Sequence, residues 1–358
     1  MSKKVFVGMS GGVDSSVTAA LLLHEGYDVT GVYMKNWSQD LPGFTCPWEV
    51  DYQDAKRVAV QLGIGFKMYD FQLQYRERVV DYLLEGYKAG ITPNPDIMCN
   101  QEIKFKLFLE TALEDGADLI ATGHYARINY KAPEPTVWPA GRAQLLAGID
   151  TNKDQSYFLY RVTQDALAHT LMPIGGYAKP QVREMAKKFG LATAEKKDSQ
   201  GICFVGKVGI KEFLQHFVVA EAGAIVDQSG KEIGRHDGAL FYTIGQRHGL
   251  DVGGGLPYYV TGKSMDRNEV YVTNDLGDAQ LWSDGFTLTS AHWINTVPAA
   301  GNKCRVRTRY RAPLVECTLI YVNDTWKVQM RDEVRALTPG QSAVFYDAER
   351  VIGGGIVI

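Results

Sequence analysis

The sequence predicts an α/β protein: a doubly wound, mostly parallel sheet, followed by a small central β-rich domain and a C-terminal β-barrel. Two observations support this prediction. Across about the first 200 residues, short apolar runs alternate with helical patterns, which is typical of a parallel sheet covered on both faces. After about residue 205, helical periodicity fades and short alternating runs separated by glycine take over. A chain of 358 residues accommodates two or three domains, and we place them at 1–204, 205–274 and 275–358.

The elements of the first domain follow from local composition. Val5–Met9 is short, apolar and β-branched like a buried parallel strand, and the apolar positions after Asp14 predict a helix that ends at Gly26. Tyr130–Gly141 contains three prolines and predicts an exposed excursion. The remaining predicted strands are Val29–Met34, Gly65–Tyr69 and Leu119–Thr122. The remaining predicted helices are Val50–Leu62, Leu73–Lys88, Phe105–Asp115 and Pro180–Phe189.

The rest of the chain is predicted to consist mainly of strands. Lys211–Ala220 is its last helical pattern, and glycines crowd the stretch 245–255. The predicted strands of the barrel are Phe286–Ser290, Lys303–Arg311, Glu316–Val322, Trp326–Met330 and a hairpin of Ala343–Tyr346 with Val351–Ile358.

The composition is that of a globular protein, with 45% hydrophobic and 22% charged residues. No apolar run approaches the ~20 residues of a membrane span, and the first residues lack the apolar core of a signal peptide. Five cysteines without a secretory signal predict a cytoplasmic protein with thiols rather than a disulfide framework. The net charge of −3 gives no general attraction to nucleic acid, so any RNA binding must depend on local basic patches.

A phosphate-binding loop is predicted between the first strand and the first helix, in the sequence SGGVDSS (Ser10–Ser16). Gly11 and Gly12 allow the backbone to approach an anion closely, and the helix N-terminus offers N–H groups and a favourable dipole. The lysine of the common G-x-x-x-x-G-K-[ST] loop is absent here. SGGVDSS instead resembles the PP-loop of ATP pyrophosphatases, which cleave ATP between the α and β phosphates and usually adenylate a substrate.

Two cysteines are candidates for reactive thiols. Cys99 follows the two prolines of TPNPDIMC, and a helix predicted to begin one residue later would stabilise its thiolate through the helix dipole. The alternative is a small buried residue. Cys203 lies in a polar loop, KKDSQGICF, where Lys196 and Lys197 would favour a thiolate or attract a phosphate.

The sequence predicts no metal site. The cysteines lack C-x-x-C spacing and the seven histidines are scattered, so neither a zinc ribbon nor a four-cysteine cluster is indicated. Mg²⁺ is expected only together with ATP.

The clearest feature for binding a polyanion is the run RVRTRYR (Arg305–Arg311). On a strand, alternate side chains share a face about 6.6 Å apart, so four arginines would form a stripe that follows a nucleic-acid backbone. Tyr310 would stack on a base or pack inward. The alternative is a solvated outer strand of the barrel, although the mutual repulsion of four like charges argues for an anionic partner.

These motifs together resemble the bacterial tRNA-specific 2-thiouridylase family, which thiolates the wobble uridine of certain tRNAs. The resemblance covers nearly the whole chain and rests on GMSGGVDSS, NPDIMCN, ATGHYAR, NKDQSYFL, KKDSQGICF, FYTIGQRHGL, TRYRAP and GGGIVI, in this order. It implies the same three-part architecture. The excursion Tyr130–Gly141 is longer than expected for the family.

The resemblance implies a two-step reaction. ATP adenylates O2 of the uracil, with release of pyrophosphate. Cys203 carries a persulfide received from a sulfur-relay protein or cysteine desulfurase, and its sulfur attacks C2. Cys99 is the nucleophile that releases this sulfur, leaving a Cys99–Cys203 disulfide; in an alternative, hydrogen sulfide forms first. The residues implied to bind ATP are Gly8, Met9, Ser10, Gly11, Gly12, Val13, Asp14, Ser15, Met34 and Gly123.

The resemblance also implies binding of the tRNA anticodon stem-loop, and no membrane partner. A base within a folded anticodon loop must be extruded to reach a buried site. Asn94, Pro95 and Asp96 would hold this base. Asp96 is also a catalytic candidate for orienting the substrate or moving a proton, with an exposed turn aspartate as the alternative. The other residues implied to contact tRNA are His124, Lys153, Asp154, Gln155, Arg309, Tyr310 and Gln341.

Three other functions are compatible with parts of the sequence. An amide-forming PP-loop ligase explains SGGVDSS but has no use for two reactive thiols or the arginine run. A nucleotide-binding regulatory protein of the same fold would bind ATP without releasing pyrophosphate. A cluster-dependent thiolase would hold iron and sulfide with Cys99, Cys203 and a third ligand such as Asp96.

Overall fold

A parallel sheet forms the centre of the first domain. The computed structural model describes residues 2–42, 45–130, 143–197, 209–250, 252–253, 255 and 257–358, and strands and helices are numbered in chain order. The sheet contains β1 (Lys4–Gly8), β2 (Asp28–Lys35), β3 (Gly65–Asp70), β4 (Leu119–Ala121) and β7 (Thr170–Leu171). Their order is β3-β2-β1-β4-β7, and every neighbouring pair is parallel.

Helices cover both faces of this sheet, because successive side chains of a strand point to opposite faces. Val5 and Val7 share one core cluster with residues of α1 (Val13–His24) and α8 (Lys179–Lys188), whereas Phe6 belongs to the cluster on the other face. The doubly wound parallel sheet predicted from the alternation is therefore confirmed. The other helices of this domain are α2 (Trp48–Leu62), α3 (Gln72–Tyr75), α4 (Asp81–Lys88), α5 (Pro95–Met98), α6 (Phe108–Glu114) and α7 (Gln164–Ala168).

Two of these helical regions contain π-helical stretches. Arg76–Val80 joins α3 to α4, and Cys99–Leu107 joins α5 to α6. Short 3₁₀ turns occur at Ser156–Leu159 and Pro173–Gly176. π-helical backbone is rare and is found frequently at functional sites. Within the described ranges, no helix is both long and apolar enough to span a membrane.

A small second sheet forms the central domain. Its strands are β8 (Gly223–Val226), β9 (Glu232–His236), β10 (Tyr259–Ser264) and β11 (Glu269–Thr273), in the order β10-β11-β8-β9. The helix α9 (Ile210–Gln215) precedes it, and Phe213 of α9 shares a buried cluster with Ile225 and Val260 of the sheet. The β-rich central domain is confirmed, and the predicted last helix is shorter than Lys211–Ala220.

The C-terminal strands close into a barrel. They are β12 (Trp282–Trp293), β13 (Lys303–Arg307), β14 (Val315–Val322), β15 (Thr325–Arg335), β16 (Ser342–Asp347) and β17 (Arg350–Val357). Within the described residues, these six antiparallel strands follow the order β12-β15-β14-β13-β16-β17, and pairing of β12 with β17 closes the sheet on itself. Leu319, Val328 and Phe345 lie in its interior.

A hairpin of the first domain extends this barrel sheet, which the sequence did not predict. It consists of β5 (Ala126–Tyr130) and β6 (Ala143–Ala147), and β6 pairs with β17. Arg127 forms an ion pair with Glu349 at 2.7 Å. The predicted excursion Tyr130–Gly141 begins where β5 ends, and residues 131–142 lie outside the described ones. The hairpin therefore joins the first domain to the barrel.

Candidate active site

The start of α1 exposes backbone N–H groups at the carboxyl end of the parallel sheet. Gly12 precedes the helix with extended backbone angles, φ −92° and ψ 168°. The first backbone hydrogen bond inside the helix runs from the N–H of Ser16 to the carbonyl of Gly12 at 3.3 Å. The N–H groups of Val13, Asp14 and Ser15 come before this bond and point out of the helix end. This arrangement suits an anion such as phosphate.

Gly11 is the point at which this loop meets α2. Its φ is 73°, in the left-handed region that favours glycine. A Cβ at this position would overlap the carbonyl oxygen of Asp51 and lie 2.9 Å from its carbonyl carbon. Since both neighbours are backbone, neither can move aside as a side chain does. Close packing of the loop on α2 therefore requires glycine here.

The serines of the loop also bind one another and the loop backbone. Ser15 Oγ accepts from the N–H of Ser10 at 3.2 Å and donates to the carbonyl of Gly12 at 3.2 Å. Ser16 Oγ donates to the same carbonyl at 2.7 Å. The hydroxyls of Ser15 and Ser16 thus hold the shape of the loop.

Lys179 brings a cation to a loop that contains no lysine of its own. Its ammonium lies 2.8 Å from both carboxylate oxygens of Asp14, and the hydroxyl of Tyr125 donates to Asp14 at 2.8 Å. Lys179 is only 8% exposed. Neither Lys179 nor Tyr125 was predicted as a site residue. The available signal in the sequence was weak: a lysine directly before Pro180, in the first turn of α8.

Other residues implied to bind ATP pack around the same loop. A Cβ at Gly123 would lie 2.8 Å from the backbone nitrogen of Ser15, so the chain after β4 touches the start of α1 directly. A Cβ at Gly8 would lie 3.0 Å from Cε of Met34. Gly8, Met34 and Gly123 are thereby brought together with the loop.

His124 is a buried, neutral imidazole. Its Nδ1 lies 2.8 Å from the hydroxyl oxygen of Thr122, and the centroid of its ring lies 5.5 Å from the ring centroid of Phe105. Burial, and secondarily the charge of Lys104, hold the pKa of His124 well below its usual value. At neutral pH this side chain therefore offers a hydrogen bond rather than a charge.

Cys99 lies one turn inside its helix, and the predicted helix start one residue after it is wrong. The helix begins at Pro95, because Asn94 Oδ1 accepts from the N–H groups of Asp96 at 3.1 Å and Ile97 at 3.2 Å. Cys99 is fully buried and starts the π-helical stretch. Because the helix dipole acts mainly within the first turn, its effect on this thiol is weaker than predicted.

Lys196 is held by two carboxylates instead of being available to a thiolate or a phosphate. Its ammonium lies 2.7 Å from both Asp51 and Asp54 of α2. Burial lowers the pKa of Lys196, but its hydrogen bonds to these two carboxylates outweigh burial and raise it above the usual value. The predicted role of Lys196 as an available cation is therefore wrong. Cys203 lies in 198–208, outside the described residues.

We expect Lys196→Met to lower the free energy of unfolding by about 1 kcal/mol, because it leaves the two carboxylates of α2 without their shared cation. Lys197→Met is the matched control, since Lys197 is exposed on the same segment. Urea unfolding followed by circular dichroism measures both. Equal stability of the two variants would show that the ion pairs contribute nothing.

The predicted stripe of four arginines on one strand is wrong. Strand β13 ends at Arg307, and Arg311 has a left-handed φ of 63°, so the chain turns away. Arg307 forms a buried ion pair with Asp154 at 3.1 Å. Arg309 Nη2 donates to the carbonyls of Ile244 at 2.8 Å and Ala336 at 2.7 Å. The physical reason is that each of these two half-buried guanidinium groups finds its partners inside the protein.

Tyr310 packs inward, one of the two possibilities that the sequence left open. Its ring centroid lies 4.5 Å from that of Phe158 and 6.3 Å from that of Tyr157. The guanidinium of Arg311 lies 5.0 Å from the ring of Tyr310. Tyr310 thus connects the barrel to the 3₁₀ turn of the first domain.

The segment Lys153–Gln155 supports neighbouring loops. Asp154 is 4% exposed and accepts from the N–H groups of Gly148 and Ser156, both at 3.0 Å. Gln155 exchanges two hydrogen bonds of 2.9 Å with the backbone of Tyr125, which in turn contacts Asp14. The N–H of Lys153 closes a turn onto Asp150 at 3.0 Å. Asp154 and Gln155 therefore position the loop of Tyr125, which contacts the start of α1 through Asp14.

Gln341 ties the loop of Asn94–Asp96 to the barrel. Its side-chain amide donates to the carbonyl of Thr92 at 2.7 Å, and the N–H of Thr92 donates to Pro339 at 3.0 Å. Thr92 Oγ1 also lies 3.3 Å from Thr243 Oγ1 of the central domain. All three domains therefore meet beside the helix that carries Cys99.

The described residues contain no group of three or more histidine, cysteine, aspartate or glutamate side chains arranged to hold a metal ion.

Three family models match the chain one after another. They are described as tRNA methyl transferase HUP domain, tRNA methyl transferase PRC-barrel domain and Aminomethyltransferase beta-barrel domain, and they match residues 3–207, 211–274 and 283–357. Among solved structures, NMN synthetase from Francisella tularensis covers 60% of this chain and 73% of its own, with 16% identity and a TM-score of 0.35.

Curated relatives match along the full length. The tRNA-specific 2-thiouridylase MnmA of Bacillus subtilis (strain 168) is 47% identical over 359 residues, which is 99% of this chain and 94% of the relative. The protein of the same name from Idiomarina loihiensis is 46% identical over 364 residues, 99% of this chain and 96% of the relative. The chain belongs to the tRNA-specific 2-thiouridylase family.

Proposed function

We propose that this protein is an ATP-dependent tRNA-uridine 2-sulfurtransferase. It adenylates O2 of the wobble uridine, position 34, and replaces that oxygen with sulfur from a cysteine persulfide, releasing AMP and pyrophosphate. The observation that carries the proposal is the loop Ser10–Ser16 after β1, at the carboxyl end of the sheet, where the N–H groups of Val13, Asp14 and Ser15 precede the first hydrogen bond inside α1. Ligands bind at this edge in open α/β sheets. Family membership supports the same reaction.

The residues around the loop fit ATP, which is a substrate here, with Mg²⁺ bound to its phosphates. Gly12 leaves room for a phosphate, since a Cβ at this position would meet only Ser10 Oγ, at 3.4 Å, among the described atoms, whereas Gly11 lets the loop pack on α2. We assign Gly8–Ser15, Met34 and Gly123 to nucleotide binding, and we assign to Lys179 the role of holding Asp14 of the loop in place. Adenylation converts a poor leaving oxygen into a good one, so that sulfur can replace it.

We assign the sulfur chemistry to Cys99 and Cys203. Cys203 carries the persulfide, supplied by a sulfur-relay protein or a cysteine desulfurase, and its outer sulfur attacks C2 as AMP leaves. Cys99 then attacks Cys203 Sγ, the S–S bond of the persulfide breaks so that the outer sulfur stays on C2, and the resulting Cys99–Cys203 disulfide is returned to two thiols by a thiol reductant. Two thiols exchange sulfur only when they approach within disulfide distance. Asn94 caps the helix that positions Cys99, and Asp96 follows it, so a uracil held by this cap would lie one helical turn from the thiol.

The anticodon stem-loop is proposed to bind where the three domains meet. Gln341 and Arg309 link the domains there. His124 directly precedes Tyr125, and Lys153 lies two positions before Gln155, which is hydrogen-bonded to the backbone of Tyr125. Neutral His124 would donate or accept a hydrogen bond with RNA. Because Asp154, Gln155 and Tyr310 pack internally, we assign them the role of positioning the loops that contact tRNA.

The internal hydrogen bonds of Arg309 described above all leave from Nη2, so we assign its phosphate contact to Nη1. We expect Arg309→Ala to weaken tRNA binding and to reduce the slope of the log of the tRNA association constant against log salt concentration by about 0.7–0.9, the effect of one lost phosphate contact. Arg305→Ala is the matched control on the same run, because Arg305 Nη2 donates only to the exposed Ala348 carbonyl at 2.6 Å among the contacts of the described residues. Filter binding at several salt concentrations measures both. An unchanged slope for folded Arg309→Ala would remove this residue from the interface.

The adenylation step can be tested without a sulfur donor. ATP labelled at the γ phosphate and an anticodon stem-loop with uridine 34 are expected to yield labelled pyrophosphate. The control is the same RNA with 2-thiouridine at position 34, which lacks the oxygen to be adenylated. It is expected to yield no labelled pyrophosphate. A regulatory protein would bind ATP without this release. Labelled inorganic phosphate, or pyrophosphate formed equally with both RNAs, would contradict the proposed adenylation.

A further inference from the structure

Two cysteines of the barrel lie side by side on neighbouring strands. Cys304 of β13 is directly opposite Cys317 of β14, and their Sγ atoms are 3.6 Å apart. Both are present as thiols. Directly opposite residues of antiparallel strands have Cα atoms about 4.5–5.5 Å apart, within the span of a disulfide. The backbone therefore already has the spacing that a disulfide needs.

The two thiols differ in their surroundings. Cys317 is 4% exposed and packs in the barrel core with Leu319 and Val328. The hydrogen bond shared with Cys304, and then burial, raise the pKa of Cys317 above its usual value. Cys304 is partly exposed on the same pair of strands. A reagent from solvent would reach Cys304 first, with Cys317 in contact behind it.

We propose that Cys304 and Cys317 form an oxidant-sensitive dithiol site that takes two-electron oxidants of the peroxide class. The Cys304 thiolate attacks the peroxide, its sulfur is oxidised to a sulfenic acid, and the peroxide is reduced to water. Cys317 then attacks that sulfur, the S–O bond breaks, and a second water leaves as the disulfide forms. A thiol reductant returns both cysteines to the starting state. Disulfides of this kind in reducing compartments are commonly redox-sensing or transient.

Disulfide formation would restrict the chain between the two strands. The segment 305–316 contains the turn after β13, including Arg309 and Tyr310. A covalent link at the base of this segment reduces its conformational freedom and its local opening. The site is separate from the thiols assigned to sulfur transfer, and the inference does not depend on the proposed function.

The test uses the full-length chain treated with hydrogen peroxide, alkylated and digested for mass spectrometry. The expected product is a Cys304–Cys317 cross-linked peptide that dithiothreitol reverses. Hydrogen exchange is expected to slow in the segment 305–316 of the oxidised protein. A Cys304 sulfinic acid that accumulates while Cys317 stays alkylated would overturn the proposal, as would oxidation of Cys46 before either barrel thiol.

Three variants make the test specific. Cys317→Ser is expected to stop at the Cys304 sulfenic acid, which dimedone labels, and Cys304→Ser is expected to give no cross-link. Cys46→Ser, at a buried cysteine outside the barrel, is expected to leave the yield of cross-link unchanged. If a barrel variant does not fold, titration of the wild-type chain in a glutathione redox buffer serves instead. Absence of the cross-link at the oxidising end would then overturn the proposal.

Discussion

Cys99→Ser is expected to slow 2-thiouridine formation by at least about 10³-fold, while ATP binding stays near the wild-type value. A serine hydroxyl is too weak a nucleophile to attack a persulfide sulfur under these conditions, whereas its size suits the buried position of Cys99. Cys203→Ser is expected to have the same effect, because it removes the atom that carries the sulfur. Mass spectrometry of nucleosides measures the product, and calorimetry measures ATP binding.

Cys46→Ser is the control for these two variants. Cys46 is another buried cysteine of the first domain, and its thiol donates to the carbonyl of Trp37 at 3.7 Å. We expect it to retain thiolation. A near wild-type rate for Cys99→Ser or for Cys203→Ser would contradict the two-thiol mechanism. Iron and sulfide in anaerobically prepared wild-type protein would favour a cluster-dependent thiolase instead.

Gly11→Ala is expected to weaken ATP binding by at least about 100-fold. An alanine in the left-handed region costs about 1–2 kcal/mol, and its Cβ would also overlap the backbone of Asp51. The loop must therefore move away from α2, and the N–H groups at the start of α1 lose the geometry that suits a phosphate. Calorimetric titration with a non-hydrolysable ATP analogue measures the loss.

Gly26→Ala is the matched control, because it has the strain of a left-handed alanine without the overlap with the Asp51 backbone. Gly26 ends the same helix with a φ of 88°, and a Cβ there meets none of the described atoms within 4 Å. We expect this variant to lose stability through strain alone and to bind the analogue normally. Equal analogue affinity of Gly11→Ala and Gly26→Ala would show that the contact with α2 does not shape the nucleotide loop.

The sequence was informative where structure is local. The alternating pattern predicted the parallel sheet because each strand and helix is specified by its own residues, and the glycines of SGGVDSS marked the loop for the same reason. The start of the helix before Cys99 was also readable, since Asn94 and Pro95 are a typical cap and first residue. The helix predicted to begin one residue after Cys99 therefore lacked its true first turn, which starts at Pro95.

Contacts between distant parts of the chain could not be predicted in this way. Lys179 is 165 positions from Asp14, and Arg127 is 222 positions from Glu349, so no local pattern links either pair. The prediction for the arginine run failed because a local charge pattern does not show which partners the side chains find in the fold. Its charge pattern indicated a polyanion, whereas Arg307 and Arg309 find their oxygen partners in other parts of the same chain.

We propose that one chain couples adenylation of a tRNA base to its thiolation. The most direct measurement incubates unmodified tRNA with the protein, ATP and a persulfide donor, followed by mass spectrometry of the nucleosides and quantification of AMP. The account predicts 2-thiouridine at the wobble position, with AMP formed in equal amount and neither product without ATP. Thiolation that proceeds without ATP, or AMP formation with no 2-thiouridine, would contradict it.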